Sequence, residues 1–173
     1  MRISTEPADT AWAETEPLLL SVWPPDLDPP PPWAHIVITQ YPTSRVMVRS
    51  ESGELLCHVG LQIRTALWEG RSVRIGGIGG VATHAEHRRN GYASRAIDMA
   101  LQELSKPGFD FALLFAEPHN FNFYERRGWH KFAGDVFIEQ PQGRIKHEVV
   151  TPFVYDNAIA PRTGTIDLLG TPW

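Results

Sequence analysis

Cysteine is almost absent from this sequence, since Cys57 is the only one among 173 residues. A lone cysteine cannot form an internal disulfide, so we expect a reducing compartment, the cytoplasm. Cys57 stands in an apolar stretch, and no motif indicates a base that would activate it. It is therefore predicted to be a buried side chain in a strand and not a nucleophile.

Long apolar runs are also missing. No segment approaches the roughly 20 apolar residues that a bilayer-spanning helix needs. Glu6 and Asp9 lie where a signal peptide would have its apolar core. The sequence therefore predicts a soluble, cytoplasmic protein with no membrane partner.

Basic residues are not in excess. The 20 Asp and Glu residues outnumber the 16 Lys and Arg residues, which gives a net charge of −4 and a pI near 6.0. A general nucleic-acid surface would need the opposite balance, so we expect no nucleic-acid partner and only local basic patches. The 173 residues, 42% of them hydrophobic, suffice for one core, and a single domain over residues 1–173 is predicted.

One local basic patch stands between a strand pattern and a helix pattern. Residues 71–83 read as a strand, a polar stretch with Arg88 and Arg89 follows, and residues 93–104 have apolar side chains at helical spacing. A glycine-containing loop before a helix presents backbone N–H groups and the positive end of the helix dipole. The two arginines add full charges. The segment predicts an anion site, most naturally for a pyrophosphate.

The same strand contains an alternative motif. Residues 77–82 match the dinucleotide fingerprint G-x-G-x-x-A. A fingerprint glycine turn should open directly into a helix, whereas polar residues follow here and antiparallel strand patterns precede. The sequence thus favours the other interpretation of these glycines, a bulge or a close approach of another chain to the backbone.

Other segments predict the remaining elements by periodicity and by turn residues. Asp9 or Thr10 is the expected cap of the first helix, and the proline-rich residues 24–32 are expected to be extended or polyproline II. The expected elements are a strand at 1–7, a helix at 8–23, a hairpin of 46–49 with 55–63, a buried strand at 109–116, a short helix from Glu117 to Gly128, and a hairpin of 135–139 with 145–150 around a turn at 140–143.

Two stretches resemble the GNAT superfamily of acyl-CoA-dependent N-acyltransferases. Val81-Ala82-Thr83, followed by Arg88-Arg89-Asn90-Gly91-Tyr92-Ala93, is similar to motif A, whose pattern is R/Q-x-x-G-x-G/A after a strand. The run from Phe123 to Trp129 is similar to the later tyrosine-glycine-aromatic motif. Both motifs lie within residues 40–150, which the resemblance covers best. It implies a single mixed α/β domain, with a central, mostly antiparallel mixed sheet flanked by helices.

The resemblance also implies a cosubstrate, acetyl-CoA, and no metal. Main-chain groups of Val81 and Thr83 would pair with pantetheine. The family's polar pantetheine contact usually stands seven residues before the motif tyrosine, at Glu117, whereas Asn120 stands four before it. The implied coenzyme-binding residues are Val81, Ala82, Thr83, Arg88, Arg89, Asn90, Gly91, Tyr92, Ala93, Ser94 and Asn120.

Two residues are candidates for the chemistry. By resemblance, Tyr124 protonates the departing thiolate; the alternative is a packed tyrosine with a locally satisfied hydroxyl. Amines are mostly protonated at pH 7, so a base is also needed. Glu117 is the first choice, and His84 and His119 are the alternatives. A zinc site of His84, His87 and His119 is disfavoured because the spacing matches no common ligand pattern.

The tail, residues 164–173, resembles those of aminoglycoside 2′-N-acetyltransferases and nodulation N-acyltransferases. Trp173 is thus a candidate acceptor-binding residue. The alternative is a structural tail that covers the edge of the core. Residues 24–32 form either a rigid connector or, by family analogy, a rim of the acceptor pocket.

The expected activity is acetyl transfer to a primary amine of a small molecule such as an aminoglycoside-like amino sugar, with antibiotic resistance as a hypothesis. The alternative is a non-enzymatic acyl-CoA sensor or scaffold. The oligomeric state is left open, with a homodimer as one alternative.

Overall fold

The computed structural model describes residues 1–173. Its strands are β1 (Arg2–Pro7), β2 (Ser44–Arg49), β3 (Leu55–Trp68), β4 (Arg71–Thr83), β5 (Phe111–Ala116), β6 (His130–Lys131), β7 (Asp135–Gln140), β8 (Gly143–Lys146), β9 (Thr151–Asp156) and β10 (Thr165–Asp167). Its helices are α1 (Trp12–Val22), α2 (Tyr92–Leu104) and α3 (Phe121–Glu125), with 3₁₀ turns at Ala85–His87 and Pro118–Asn120. None of these helices combines the length and apolarity that crossing a bilayer would require.

The strands form a mixed sheet, as the predicted α/β fold class requires. Hydrogen bonding gives the order β6-β9-β5-β4-β3-β10-β7-β8, and β2 pairs with β3 and with β1. Residue contacts divide the chain into two compact units. The first comprises Met1–Pro31, Tyr41–Gln62 and Ile78–Glu103, and the second comprises Pro32–Gln40, Ile63–Gly77 and Leu104–Trp173. The long strands β3 and β4 contribute residues to both units.

The predicted hairpin of residues 46–49 and 55–63 is confirmed in the first unit. Strands β2 and β3 are antiparallel, with Val48 opposite Cys57, and β1 extends the pairing on the other edge of β2. Cys57 is fully buried, as its apolar neighbours predict. The alternating apolar residues of β2 and β3 thus find the core that their period-two pattern requires.

Helix α2 also matches its sequence pattern. Apolar residues three and four positions apart form one helix face, and that face is buried. Its buried residues are Ala96, Ile97, Ala100, Leu101 and Leu104. Within the second unit, a Cβ at Gly76 of β4 would lie 2.4 Å from a Leu104 methyl carbon, so a larger residue there would displace the Leu104 side chain at the end of α2.

The first helix was predicted to begin too early. It begins at Trp12, after Ala11, and no side chain caps it, so the assignment of Asp9 or Thr10 as the cap is wrong. Strand β1 continues to Pro7, and the Thr10 hydroxyl donates to the Pro7 carbonyl, so these residues form a turn. The following residues 24–32 form neither helix nor strand, but a turn in which Leu27 N–H donates to Pro24 O contradicts the predicted extended or polyproline II geometry at that point.

The last predicted hairpin is confirmed, since β7 and β8 pair antiparallel, but its second strand was predicted too late in the sequence. Strand β8 ends at Lys146, so residues 147–150 do not continue it. The His147 N–H donates to Val136 O, and the side chain is buried. The next strand, β9, leaves β7 and pairs antiparallel with β5. An apolar alternation cannot say which neighbour a strand pairs with, because that choice depends on distant contacts.

The tail contributes a strand that the sequence pattern did not predict. Strand β10 lies between β3 and β7, antiparallel to the first and parallel to the second. Ile166 and Leu168 are fully buried in the core of the second unit. That core also contains Val73, Ile75, Phe111, Leu113, Phe132, Val136, Ile138 and Val154. The tail is therefore an integral part of the sheet.

Candidate functional site

The predicted anion loop lies between β4 and α2 in the first unit. Arg88, Arg89 and Asn90 are exposed, and α2 begins at Tyr92, directly after Gly91. Arg89 has φ +64° and Gly91 has φ +79°, so both residues adopt left-handed backbone geometry. Glycine adopts this conformation at little cost. The strand, basic loop and helix predicted from the sequence are thus confirmed as structural elements.

Two side-chain hydrogen bonds order this loop, one of them to the end of β4. Arg88 Nε donates to Thr83 O over 3.3 Å, and Asn90 Nδ2 donates to His87 O over 3.2 Å. Arg89 makes no side-chain hydrogen bond or ion pair within the protein. Its charge is therefore available to a ligand at the start of α2, where the helix dipole also favours an anion.

The last residues of β4 alternate in burial. Ala82 is almost fully buried, whereas Val81 and Thr83 are half-buried on the other face. The Thr83 hydroxyl donates to Cys57 Sγ over 3.2 Å. This contact ties the end of β4 to β3 and uses the hydroxyl proton of Thr83, so only the main chain of Thr83 can donate a hydrogen bond to a ligand.

A buried polar relay lies just before these residues. Arg45 Nη1 is 2.9 Å from His58 Nε2, and His58 Nδ1 is 2.8 Å from the Gly80 carbonyl oxygen. A carbonyl only accepts, so His58 Nδ1–H donates to Gly80 and Nε2 accepts from Arg45. Burial lowers the pKa of His58 to about 4, which keeps the ring neutral. Gly80 has φ +56°, and the relay fixes the direction of its carbonyl.

Two of the three candidate bases, Glu117 and His119, lie together in the second unit, after β5. His119 Nδ1 is 3.9 Å from a Glu117 carboxylate oxygen, and Asn120 Nδ2 is 3.1 Å from His119 Nε2. The Glu117 side chain is 28% exposed, whereas that of His119 is 69% exposed. Glu117 is therefore the less solvated of the two and remains the stronger candidate. The structure thus connects Glu117, His119 and Asn120 through contacts between their side chains.

Tyr124 lies one turn further on, in α3, and is 7% exposed. Its ring is surrounded by other aromatic rings, with centroid distances of 5.1 Å to Phe123 and 6.3 Å to both Trp129 and Phe153. Gly128 has the expected left-handed φ of +83°, but the predicted helix from Glu117 to Gly128 is shorter in the structure, since α3 ends at Glu125 and a 3₁₀ turn precedes it. These contacts hold the tyrosine ring in one position.

Trp173 contacts a different part of the second unit. Its ring centroid is 5.8 Å from that of Phe115, and the Arg64 guanidinium lies 5.4 Å above the indole. Arg64 Nη1 also donates to Leu168 O and Thr171 O. The indole is partly buried and packs against the core. This packing agrees with the alternative prediction, in which the tail covers the edge of the core. Its role in acceptor binding stays a prediction.

The first alternative base, His84, lies in the first unit, directly after β4. Its Nδ1 is buried without a hydrogen-bond partner, and its ring centroid is 5.5 Å from that of His87. His87 in turn contacts the Glu54 carboxylate over 3.3 Å. No group of three His, Cys, Asp or Glu side chains is placed to hold a metal ion.

Three buried polar residues were not indicated by the sequence pattern: Arg45, His58 and His147, each at most 6% exposed. Only His58 interrupts an apolar strand segment, and that interruption could have indicated it, because a buried polar side chain needs a specific partner.

Comparisons with known proteins agree with this architecture. A sequence model described as acetyltransferase (GNAT) domain matches residues 32–132, more than half of the 173 residues. No curated protein matches the chain by sequence at a significant level.

Solved structures with the same fold are numerous. E. coli ElaA is 12% identical, with a TM-score of 0.62, and the match covers 90% of this chain and 99% of ElaA. A GNAT family acetyltransferase from Brucella melitensis in complex with acetyl-CoA is 13% identical, with a TM-score of 0.59 and coverages of 95% and 94%. The GNAT family N-acetyltransferase YhbS from E. coli, in complex with CoA, is 17% identical, with a TM-score of 0.55 and coverages of 74% and 68%.

Several other matched structures are longer, and this chain covers less than two thirds of their length. At these identities, the structural likenesses show the fold alone. The family follows from the sequence model, which matches most of the segment that contains the basic loop and the motif tyrosine. The chain therefore belongs to the GNAT family of acetyltransferases.

Proposed function

We propose that this protein transfers an acetyl group from acetyl-CoA to a primary amine of a small molecule, such as an aminoglycoside-like amino sugar. The observation that carries the proposal is the exposed basic loop at the start of α2. It offers the unpaired Arg89 charge, the Arg88 charge and the amino-terminal end of a 13-residue helix to one anion. A pyrophosphate fits this donor set.

The cosubstrate would extend from this loop along β4. In the proposal, residues 88–94 hold the pyrophosphate, and main-chain groups of Val81 and Thr83 pair with pantetheine. The relay from Arg45 through His58 supports this role, because it fixes the Gly80 carbonyl. In a planar trans peptide the Val81 N–H points in the opposite direction to that carbonyl, away from His58. Two of the solved structures with this fold are complexes with acetyl-CoA and with CoA, which supports the choice of donor.

The reaction needs a free amine and a protonated leaving group. The thioester supplies an acetyl carbonyl, to which the amine nitrogen bonds while the carbon–sulfur bond breaks. Glu117 is proposed to accept the proton that the ammonium must lose, directly or through water, and the Tyr124 hydroxyl to protonate the departing thiolate. Asn120 is proposed to contact pantetheine, and Trp173 the acceptor. The lone buried Cys57 supports a reducing, cytoplasmic location.

Mass spectrometry of an amine panel tests the proposal. The protein is incubated with acetyl-CoA and with aminoglycosides, hexosamines, polyamines and lysine-containing peptides. We expect a mass increase of one acetyl group on an amino sugar, together with release of free CoA thiol. Acylated peptides and unmodified amino sugars would contradict the acceptor class. Binding of acetyl-CoA without any acylated product would favour the sensor or scaffold alternative.

A further inference from the structure

A charged side chain is buried in the first unit without a carboxylate partner. Arg45 is only 3% exposed. Its guanidinium contacts the His58 ring, the Ala8 carbonyl and the face of the Trp12 ring. Burying a charge costs free energy, and an apolar pair of similar volume is often at least as stable as a buried polar pair. Stability alone therefore does not account for the pair of Arg45 and His58.

The other end of this pair is a peptide group of β4. The His58 ring is 1% exposed, and its Nδ1 is 2.8 Å from the Gly80 carbonyl oxygen. Gly80 itself is exposed, although Ile78 and Ala82 on either side of it are buried. Its φ of +56° is the left-handed conformation that glycine adopts in many β-bulges. The buried relay thus ends at a peptide whose glycine is open to solvent.

Arg45 fixes the position of the proton on the His58 ring. A guanidinium stays protonated and only donates hydrogen bonds, so His58 Nε2 must accept. Burial lowers the pKa of His58 to about 4, so the ring carries a single proton at pH 7. That proton is therefore on Nδ1. Toward the peptide after Gly80, His58 is thus left with one role, that of a donor.

A fixed donor at this place restricts the Gly80–Val81 peptide. Glycine has no Cβ, so a peptide next to it can rotate at little steric cost. Rotation by half a turn would exchange the positions of the Gly80 carbonyl and the Val81 N–H. The N–H would then face the His58 Nδ1–H, and two donors cannot form a hydrogen bond. The relay therefore allows only the orientation in which the Val81 N–H points away from His58.

We propose that Arg45 and His58 are positioning residues for the cosubstrate, because they hold the Gly80–Val81 peptide so that the Val81 N–H donates to the pantetheine arm of acetyl-CoA. The inference rests on the proposed acetyltransferase function, in which Val81 pairs with pantetheine. Neither buried side chain touches the ligand. Arg45 acts through the tautomer of His58, and His58 acts through the peptide. The relay therefore concerns pantetheine and not the pyrophosphate, which the basic loop holds.

Two ligands separate these halves of the cosubstrate. Calorimetry compares CoA with 3′-phosphoadenosine 5′-diphosphate, which keeps the pyrophosphate and lacks pantetheine. In Arg45→Met the His58 ring remains, but it is free to take the other tautomer, and the peptide is free to rotate. We expect the affinity for CoA to fall about fivefold, as for one lost hydrogen bond, while the affinity for the nucleotide stays the same. His58→Phe should give the same pattern.

Matched variants control for loss of structure. In His58→Gln the amide oxygen would accept from Arg45 and the NH₂ group would donate to Gly80, so most of the CoA affinity should return. His147→Phe changes another buried histidine, which lies in the second unit and has no hydrogen bond from its ring. It should alter neither affinity. If His58→Phe does not fold, Arg45→Met combined with His58→Phe replaces it, because that variant buries no unpaired charge.

The ¹⁵N chemical shifts of the His58 ring report its tautomer directly. We expect the proton on Nδ1 in the wild-type protein and a mixture of tautomers in Arg45→Met. A wild-type ring protonated on Nε2 would overturn the inference. Equal losses of affinity for CoA and for the nucleotide would show a general structural role and would also overturn it. Binding of CoA with an unchanged ratio of the two affinities would remove this inference alone, whereas a wild-type protein that does not bind CoA would remove the proposed function with it.

Discussion

The Arg45 guanidinium and the His58 imidazole face each other inside the first unit, with Arg45 Nη1 2.9 Å from His58 Nε2. Arg45 is 3% exposed and His58 is 1% exposed. Arg45 has no carboxylate partner; its other contacts are the Ala8 carbonyl and the face of the Trp12 ring. A buried charge is thus held by a neutral histidine, a carbonyl and an aromatic ring.

Removal of the histidine tests this relay. His58→Phe would leave Arg45 Nη1 and the Gly80 carbonyl without their present partner. We expect the free energy of unfolding to fall by about 2–5 kcal/mol, because a buried charged donor and a carbonyl lose their bonds. His58→Gln can both donate and accept and should lose less. Urea titration followed by tryptophan fluorescence gives both values, and equal losses in the two variants would contradict the relay.

The two buried histidines predict acid sensitivity. Burial lowers the pKa of both His58 and His147 from 6.5 to about 4. Below pH 6.5, these two histidines therefore bind protons in the unfolded chain, whereas in the folded chain they stay neutral down to about pH 4. The free energy of unfolding should be constant above about pH 6.5 and fall as the pH decreases toward 4, by up to about 3 kcal/mol for each histidine.

Urea titrations at several pH values measure this decrease. In His147→Phe, roughly half of it should disappear. The Glu6 carboxyl acts in a different window, because hydrogen bonds from Arg49 and Ser4 lower its pKa from 4.5 to about 2. Its contribution is present above pH 4.5 and is lost only below that value. A free energy of unfolding that stays flat between pH 6.5 and 4.5 would refute the histidine assignment.

The basic loop predicts salt-dependent CoA affinity. Arg88→Ala with Arg89→Ala removes two charges, each with about 1.5–3 kcal/mol of charge-assisted hydrogen bonding at stake. We expect calorimetric affinity for CoA to fall by about tenfold or more, and the difference to shrink in high salt. Arg71→Ala, which removes an exposed arginine in the other unit, is the matched control. An unchanged affinity in the double variant would place the pyrophosphate elsewhere.

Tyr124 is predicted to act in the chemical step. Tyr124→Phe keeps the ring among Phe123, Trp129 and Phe153 and removes the hydroxyl. If general acid catalysis is needed, kcat should fall by roughly 10²–10⁴ with little change in binding. Tyr155→Phe serves as the control for loss of a tyrosine hydroxyl. A decrease of less than about threefold in single-turnover acyl transfer would leave Tyr124 with a packing role.

Cys57 should be inert in the folded protein. It is fully buried, and burial raises the pKa of its thiol, so little reactive thiolate is present at neutral pH. We expect no alkylation by iodoacetamide in buffer and rapid alkylation in urea, as measured by intact mass. Fast labelling under native conditions would show that the first unit opens around β3.

Local pattern was sufficient where a segment's own residues decide its structure. The apolar period of residues 93–104 predicted α2, and the strand at 71–83 and the loop at 88–91 were predicted with their observed bounds, because glycine and charge positions act within a few residues. The motif at Tyr124 indicated the family for the same reason, since it is a short contiguous run. The sequence likewise indicated Glu117 and Asn120, which the structure joins through His119.

Only the tertiary structure decided the pairings between distant segments. Strand β9 pairs with β5, and β10 lies between β3 and β7, although the same alternation would fit other neighbours. The tertiary structure also decided that Arg45 and His58 are partners. It likewise left the two ring nitrogens of His147 without hydrogen bonds. The sequence by itself determined the period and charge of each segment; burial and partners depend on residues far along the chain, because desolvation and hydrogen bonding are settled only when segments meet.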